Sequence, residues 1–394
     1  MSMDTVTGAM KDDKLVISLS GSINSANAGD VERQISALRA ANPQGGIIID
    51  TAGLEYISSA GLRVILRLSK DNEDLRIVNA SPDVYGIFEM TGFMEMLTVE
   101  KAYRRLSVDG CEAIGQGANG VVYRLDPDTI VKVYRNPDSL PDIKRERELA
   151  HKAFVLGIPT AIPYDVVKVG DSYGSVFELL NAKSFTKLIN AQPGKLDDYI
   201  KEFVTLLKKI HATQVNPGDM PDIKAVALGW AAFLKGRLPD DQQAKLVSLI
   251  TAVPDRHTMI HGDYHIKNVM MQDGEVLLID MDTLSMGHPV FEFASMYLGF
   301  VGFGECDPKG VEDFLGIPYD TAKTFWRRTL QLYFGTDDDA RLDAIQDKAR
   351  VVGYMRLLRR TLRRDPDSDK GKALIAMCRK NLAQLLPQIS TLDF

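Results

Sequence analysis

Cysteine and long apolar runs are both scarce in this 394-residue sequence, and each scarcity excludes a class of protein. The three cysteines, Cys111, Cys306 and Cys378, are too few and too scattered for a disulfide scaffold or a zinc site. No segment supplies the run of about 18 apolar residues that a membrane-spanning helix requires. We therefore expect neither a disulfide-rich secreted protein nor a membrane protein.

The sequence also lacks an excess of positive charge. Its net charge is −6, which argues against a nucleic-acid partner because recognition of the phosphate backbone depends on a positive surface. Residues 1–7 contain neither a basic region nor an apolar stretch, so we expect no signal peptide, no membrane partner and a cytoplasmic location. The length and the ordinary hydrophobic content of 45% favour a globular protein of two domains.

The most informative stretch is residues 261–268, HGDYHIKN. Asp263 can take a proton from a hydroxyl group, and Asn268 offers an oxygen ligand suited to Mg²⁺. A second acid, Asp280, follows two apolar runs that flank an Asp273-Gly274 turn signal. A hairpin closing at that turn brings Asn268 and Asp280 side by side. Phosphoryl transfer needs these parts, because its catalysis consists mostly of positioning and of neutralising phosphate charge.

A glycine-rich loop precedes this stretch. Gly115, Gly117 and Gly120 form a G-x-G-x-x-G pattern, which also marks dinucleotide-binding folds. After the last glycine, however, residues 121–124 (VVYR) are typical of a strand and not of the start of a helix. This order favours a flap over nucleotide phosphates.

The next predicted strand, residues 129–134, contains a lysine at its centre. Lys132 is surrounded by apolar and β-branched residues, where a lysine is costly unless it meets phosphate oxygens or a carboxylate. An edge-strand lysine that points to water is the alternative. We therefore look for a carboxylate partner.

The partner is expected on the following helix, predicted over residues 142–157. Glu146 and Glu148 point to different sides of that helix, so only one can face the lysine. We predict Glu148, because it is nearer to the apolar residues Leu149, Phe154 and Val155. Glu146 is the alternative.

With these motifs, residues 111–394 resemble the aminoglycoside phosphotransferase and choline kinase branch of the protein-kinase-like superfamily. In that branch an HGDxHxxN loop replaces the HRD loop of protein kinases, and an I-D-x-D segment replaces DFG. The resemblance implies a bilobal α+β protein-kinase-like fold, with an N-lobe at about residues 111–180 and a C-lobe at about 181–394. It also implies ATP and Mg²⁺ as cofactors.

The resemblance gives each motif residue a role. Asp263 becomes the catalytic base, and Asn268 and Asp280 become the metal ligands. Residues 175–180 become the hinge strand, whose backbone meets the adenine. The cofactor-binding residues are then the loop glycines, the phosphate-binding lysine with its helix partner, and two hinge positions: Gly115, Gly117, Gly120, Lys132, Glu148, Glu178 and Leu180.

Three nearby features have open interpretations. Lys267 assists transfer, binds an anionic substrate or is simply solvated. Asp282 is a further metal contact or a cap on the next segment. A cluster of arginines is a solvated helix face or a docking site for an acidic or phosphorylated substrate. This cluster consists of Arg356, Arg359, Arg360, Arg363 and Arg364.

Residues 1–106 show predicted strands that alternate with helices, as in α/β proteins. The strands are predicted over residues 14–21, 46–50 and 75–79, and the helices over residues 27–40, from Ser58 onward and over residues 84–97.

This part resembles a STAS domain of the anti-sigma-factor-antagonist type, on Asp50 and on the run Ser58-Ser59-Ala60-Gly61-Leu62. In that family a serine at the helix start is phosphorylated and switches partner binding. The chain departs from the usual family pattern here, because Ala60 stands where one candidate serine would be, and Ser59 is the best remaining phosphoacceptor. A helix N-terminus favours a phosphate. The alternative is that both serines only cap the helix.

The sequence thus predicts an α/β STAS-like domain followed by a kinase-like fold. The resemblances imply an ATP- and Mg²⁺-dependent enzyme that transfers the γ-phosphate to a hydroxyl of a small molecule, with the STAS domain as regulator. The first alternative is a signalling kinase that phosphorylates a protein serine such as Ser59, with an anti-sigma-type protein as partner. The second alternative is a nucleotide-binding pseudokinase scaffold.

Overall fold

The computed structural model describes residues 5–43, 45–72, 74–117 and 119–394. The chain forms two compact units, the first ending at Ser107 and the second beginning at Val108. The sequence analysis used residues 1–7 to predict that there is no signal peptide. Residues 1–4 of that stretch lie outside the described residues. No helix in the described part of the chain is long and apolar enough to cross a membrane.

Within the described residues, the first unit contains a five-stranded sheet in the order β1-β2-β3-β4-β5. β1 pairs antiparallel with β2, and the other neighbours pair in parallel. The strands are β1 (Val6–Lys11), β2 (Lys14–Ile23), β3 (Ile47–Ile57), β4 (Arg76–Ala80) and β5 (Thr98–Lys101), followed by the two-residue β6 (Arg104–Arg105). The helices are α1 (Ala28–Ala41), α2 (Ser59–Lys70) and α3 (Pro82–Met90). This alternation confirms the predicted α/β fold, although the sequence analysis did not predict β1 and β5.

The second unit begins with antiparallel strands in the order β10-β11-β9-β8-β7. They are β7 (Ala113–Gln116), β8 (Gly120–Asp126), β9 (Thr129–Tyr134), β10 (Asp165–Val169) and β11 (Ser172–Glu178). Helix α4 (Leu140–Val155) connects β9 to β10. The strand after the glycine-rich loop and the strand that carries Lys132 are therefore confirmed as β8 and β9.

The rest of the second unit is mainly helical. The helices are α5 (Phe185–Ala191), α6 (Leu196–Ala212), α7 (Ile223–Phe233), α8 (Asp240–Thr251), α9 (Val290–Phe300), α10 (Lys309–Leu315), α11 (Tyr319–Phe334), α12 (Asp339–Arg364) and α13 (Asp369–Leu385). Short strands accompany them: β12 (Lys183–Ser184), β13 (Met259–Ile260), β14 (Val269–Gln272), β15 (Glu275–Leu278) and β16 (Ser285–Met286). Every residue of α9 is buried, because α9 is the central helix against which α11 and α12 pack. A strand-rich part followed by a helical part is the predicted kinase-like α+β fold.

Candidate active site

A cleft of about 2050 Å³ in the second unit collects the predicted site residues. Its walls come from both the strand-rich and the helical parts. The lining residues include the glycines of the loop, the strand lysine and the acids and amide of the later motifs: Gly115, Gly117, Gly120, Lys132, Asp263, Asn268 and Asp280. Motifs that are up to 165 residues apart in the sequence therefore meet at one place.

A β-hairpin brings Asn268 and Asp280 together at its open end. β14 and β15 pair antiparallel from Val269 opposite Leu278 onward, and the backbone N–H of Ile279 donates to the carbonyl of Asn268 at 3.0 Å. Asp273 and Gly274 both have positive φ, 51° and 86°, which a two-residue hairpin turn of this kind requires. The predicted hairpin is confirmed.

The glycine-rich loop connects β7 to β8. The N–H of Gly117 donates to the carbonyl of Gly120 at 3.0 Å, which closes the loop between the two strands. A Cβ on Gly120 would overlap the carbonyl oxygen of Val133 on the neighbouring strand, so this position requires glycine. Ala118 of the motif lies outside the described residues.

Lys132 is held by two carboxylates. Its Nζ lies 3.1 Å from Oε1 of Glu146 and 2.9 Å from Oδ1 of Asp280. The hydroxyl of Tyr134 donates to Oε2 of Glu146 at 2.6 Å. Burial would lower the pKa of Lys132, but the charges of Asp280 and Glu146 outweigh it and raise the pKa above its ordinary value. Lys132 is therefore a permanent cation in the cleft.

The predicted partner of this lysine, Glu148, is wrong. Glu146 is only 6% exposed, whereas Glu148 is exposed on the opposite side of α4. The buried stripe of α4 is Ile143, Glu146, Leu149, Ala150 and Ala153, with the three- and four-residue spacing of one helix face. Phe154 and Val155, which favoured Glu148, are 54% and 69% exposed and do not belong to that stripe.

Asp263 contributes a carboxylate to the lining of the cleft. Its Oδ2 lies 3.5 Å from Nε2 of His265, and the side chain is 41% exposed. Burial raises the pKa of Asp263, but the contact with His265 and the charges of His265 and Arg356 hold it well below its usual range. At neutral pH the group is ionised and can accept a hydrogen bond from a hydroxyl group.

Asn268 is positioned by the backbone of the same loop. Its Nδ2 donates to the carbonyl of Asp263 at 3.1 Å, so its Oδ1 is the atom that remains for a ligand. This amide oxygen and the Asp280 carboxylate are hard oxygen donors of the kind that Mg²⁺ prefers. Among the described residues no three His, Cys, Asp or Glu side chains cluster closely enough to hold a metal ion. The residues present therefore fit a magnesium ion that takes its other ligands from phosphates and water.

Asp282 faces the same cleft from a short helical turn, Met281–Thr283. Nδ2 of Asn119, in the glycine-rich loop, lies 3.2 Å from its Oδ2. Burial, and then the charges of Asp280 and Glu146, raise the pKa of Asp282 to about 7. The negative charge of this part of the cleft therefore exceeds what Lys132 can balance.

A buried carboxylate that the sequence analysis missed supports the motif loop. Glu292 is 0% exposed and accepts hydrogen bonds from the backbone N–H groups of His261 and Gly262. Burial raises the pKa of Glu292, but its contact with His211 lowers it below the ordinary value. Helix α9, which carries Glu292, shows only that acid among apolar residues. The sequence signal that could have identified Glu292 is a single acidic residue within an otherwise apolar helix.

The two hinge positions, Glu178 and Leu180, also line the cleft. Glu178 is the last residue of β11, and Leu180 lies two residues beyond the end of that strand. The chain leaves the strand through a hydrogen bond from the N–H of Leu179 to the carbonyl of Asp128 at 2.7 Å. These positions lie on the cleft wall, as expected for backbone contacts to a base.

The arginine cluster lies on the cleft and not on a remote helix face. The side chains of Arg356, Arg359, Arg360, Arg363 and Arg364, all on α12, line the same cleft as Asp263. Arg356 donates to the carbonyl of Gly262 at 2.9 Å, directly beside Asp263. Lys267, the residue before Asn268, lines the cleft as well.

In the first unit, Ser58 and Ser59 have different environments. Ser58 is the N-cap of α2, and its Oγ accepts hydrogen bonds from Ala60 N and Gly61 N at 3.3 and 3.5 Å. Ser59 is the first residue of the helix and is exposed. The structure therefore gives the capping role to Ser58 and leaves Ser59 accessible.

Two family models match the sequence. The model described as phosphotransferase enzyme family matches residues 110–325, which is more than half of the chain. The model described as STAS domain matches residues 4–106. A protein of Bordetella bronchiseptica named as an anti-sigma factor antagonist, BtrV, is 33% identical over 103 residues, which cover 25% of this chain and 84% of that protein.

Solved structures of aminoglycoside phosphotransferases are similar to part of the chain. The crystal structure of APH(2'')-Ib with ADP bound has 15% sequence identity and a TM-score of 0.46, and the match covers 70% of this chain and 91% of that chain. A ternary complex of APH(4)-Ia with AMP-PNP and hygromycin B has 13% identity and a TM-score of 0.49, covering 71% and 94% of the two chains.

Proposed function

The chain belongs to the phosphotransferase enzyme family and carries a STAS domain, and on this premise we propose that it transfers the γ-phosphate of ATP to a hydroxyl group of a small molecule. One observation supports this proposal above the others. The cleft brings together a cation, Lys132, an ionised carboxylate, Asp263, and two oxygen donors, Asn268 and Asp280. These are the parts that phosphoryl transfer requires.

In the proposed mechanism each residue has one task. Lys132 holds phosphate oxygens of the nucleotide, and the loop between β7 and β8 covers them. Asn268 and Asp280 would hold Mg²⁺, which when bound neutralises charge on the phosphates. Asp263 accepts the proton of the acceptor hydroxyl while the oxygen–phosphorus bond forms. The bond from the γ-phosphorus to the β-phosphate oxygen breaks, and ADP leaves.

The experiment that tests this role compares two aspartate-to-asparagine variants. Asp263→Asn should reduce ATP-dependent phosphorylation by about 10²- to 10⁴-fold, because the base is lost, while binding of Mg²⁺–AMP-PNP measured by calorimetry stays intact. Asp273→Asn, at the exposed turn of the nearby hairpin, makes the same change of charge and should leave both quantities unchanged. Acceptors are screened by mass spectrometry of a hydroxyl-compound panel.

Two outcomes would contradict the proposal. Full activity in Asp263→Asn would remove Asp263 from the role of base. Binding of Mg²⁺–AMP-PNP without transfer to any hydroxyl acceptor, protein serines included, would instead favour the pseudokinase scaffold.

A second candidate function is favoured by the exposure of Ser59. The chain would then phosphorylate a serine of a STAS domain, its own included, and phosphorylation would switch binding of an anti-sigma-type protein partner. The relative named as an anti-sigma factor antagonist supports such a partner for the first unit. Phosphate at Ser59 would meet the N–H groups and the dipole at the start of α2.

Intact-protein mass spectrometry after incubation with Mg²⁺ and ATP tests this second function. A gain of one phosphoryl group in the wild type and in Ser58→Ala, lost in Ser59→Ala and in Asp263→Asn, is the expected result. Ser58→Ala is the matched control because it removes a neighbouring hydroxyl. If no variant gains mass, or if Ser59→Ala still does, Ser59 is not the acceptor.

A further inference from the structure

The helical wall of the cleft is strongly basic on the side of Asp263. We define the arginine wall as Arg356, Arg359, Arg360, Arg363 and Arg364 of α12. We propose that the acceptor is a small molecule that carries a phosphate group in addition to its reacting hydroxyl, and that the arginine wall binds this group. The inference rests on the proposed function, since it names the class of acceptor.

The arginine wall has no acidic partner within the described residues. None of its members forms an ion pair with another residue that the structure describes, and residues 351–364 contain no Asp or Glu. Some other arginines of the second unit are paired, as Arg350 is with Asp347 at 2.8 Å and Arg327 with Asp343 at 2.7 Å. The arginine wall differs because its five guanidinium groups, none in an ion pair within the described residues, line one cleft together, and planar guanidinium groups suit phosphate oxygens.

The positive charges of these neighbouring arginines also repel one another. Burial, and then the charges of Arg363 and Arg356, lower the pKa of Arg359. Burial and the charges of Arg364 and Arg356 do the same to Arg360. In addition, Nε of Arg359 is buried and has no hydrogen-bond partner among the described residues. A bound anion would offset the mutual repulsion of these positive charges.

Aromatic rings fix the direction of several of these cations. Arg356 lies over the ring of Trp230 at 5.4 Å, and Arg360 over Phe303 at 6.0 Å. Lys267 lies over Phe314 at 5.9 Å. All three rings line the cleft. A cation–π contact does not use the N–H donors of a guanidinium, so the donors other than the Arg356 Nη1 that binds Gly262 remain for a ligand.

The arginine wall is on the acceptor side of the cleft. Arg356 donates to the carbonyl of Gly262, the residue before Asp263, and all five arginines line the same cleft as Asp263. Lys132, in contrast, contacts Asp280 and Glu146. Asp263 therefore lies next to the arginine wall in the cleft that it shares with Lys132, where a hydroxyl and a nearby phosphate of one molecule can be bound together.

Calorimetric titration of the full chain with inorganic phosphate tests the binding site itself. The nucleotide site is first saturated with Mg²⁺–AMP-PNP, so that phosphate cannot bind there. In the double variant Arg360→Gln, Arg363→Gln, affinity for phosphate should fall at least about tenfold, or about 1.4 kcal/mol. Arg341→Gln is the matched control, because Arg341 is exposed on the same helix and does not line the cleft. The control should bind phosphate as the wild type does.

Two results of this titration would overturn the inference. One is equal phosphate affinity in the double variant and the wild type. The other is loss of phosphate binding once AMP-PNP is present, because the arginine wall would then serve the nucleotide. Circular dichroism of the double variant establishes that a loss of affinity is not a loss of folding.

A panel of matched acceptors tests the chemistry of the substrate. It contains hexoses, the corresponding hexose phosphates, hexuronic acids and aminoglycosides. The expected result is transfer to phosphorylated members, with a KM for the acceptor that rises in the double variant while the KM for ATP does not. Transfer only to carboxylated, neutral or cationic members would overturn the assignment of phosphate. Phosphate binding at the arginine wall without transfer to any acceptor would support the anion site and count against the proposed function.

Discussion

Replacement of Glu146 by glutamine should destabilise the second unit, whereas the same replacement of Glu148 should have almost no effect. The two acids lie on the same helix, two residues apart. Only Glu146 is buried, and only Glu146 contacts Lys132 and the hydroxyl of Tyr134. The pair of variants therefore isolates the buried contact from any general effect of removing a negative charge from α4.

The magnitude follows from the geometry. At 3.1 Å and an effective dielectric constant of about 20, the Glu146–Lys132 attraction is roughly 5 kcal/mol before desolvation is counted. Asp280 remains 2.9 Å from the lysine in the variant and compensates part of its charge. The glutamine amide also keeps one acceptor oxygen. We therefore expect a net loss of about 2 kcal/mol, in the range for hydrogen bonds to charged groups.

Tryptophan fluorescence during urea unfolding measures this loss in the second unit alone. Both tryptophans of the sequence, Trp230 and Trp326, belong to that unit. The free energy of unfolding is obtained by linear extrapolation for the wild type, Glu146→Gln and Glu148→Gln. If Glu148→Gln lost as much stability as Glu146→Gln, or if Glu146→Gln lost none, the assignment of the buried partner would be refuted.

Two further predictions concern other buried groups. Glu292→Gln should lower the free energy of unfolding by about 3 kcal/mol in the same assay, because an amide N–H₂ would face a backbone N–H that the carboxylate now satisfies; an unchanged value would contradict this. Burial, and then the charge of Arg256, lower the pKa of His288 to about 4. The unfolded chain therefore binds a proton first, and stability is lost as the pH falls from about 6.5 towards 4. Between pH 7 and pH 5 the wild type should lose about 2 kcal/mol more than His288→Gln, and equal pH dependence would exclude His288 as the cause.

Local patterns were sufficient to predict most of the fold and most of the motif residues that meet in the cleft. The turn signal Asp273-Gly274 between two apolar runs specifies the hairpin, because positive φ at both positions closes a two-residue turn. The strand after Gly120 followed from its β-branched residues. Both are properties of a few consecutive residues, so the sequence alone contains the information.

The features that the sequence analysis missed depend on contacts between distant segments. The choice of Glu148 over Glu146 failed because Phe154 and Val155 were assumed to be buried, whereas the end of α4 is exposed. Glu292 contacts a loop about 30 residues earlier in the chain. Whether the arginines of α12 faced solvent or the cleft depended on the packing of that helix, which periodicity does not determine.

The charges of the cleft are separated into two regions. On one side, Glu146, Asp280 and Asp282 surround a single lysine, and burial, followed by the charges of Asp280 and Glu146, raises the pKa of Asp282. On the other side, the arginine wall has no acidic partner among the described residues. Exclusion of water around bound substrates strengthens both imbalances, because charges interact more strongly at low dielectric constant. Mg²⁺ held by Asn268 and Asp280 would offset the negative charge of the first region, and the phosphate of the proposed acceptor would offset the positive charge of the second. A polycationic acceptor would leave the arginine wall unpaired and repelled, so acceptor preference should fall in the order phosphorylated, neutral and polycationic.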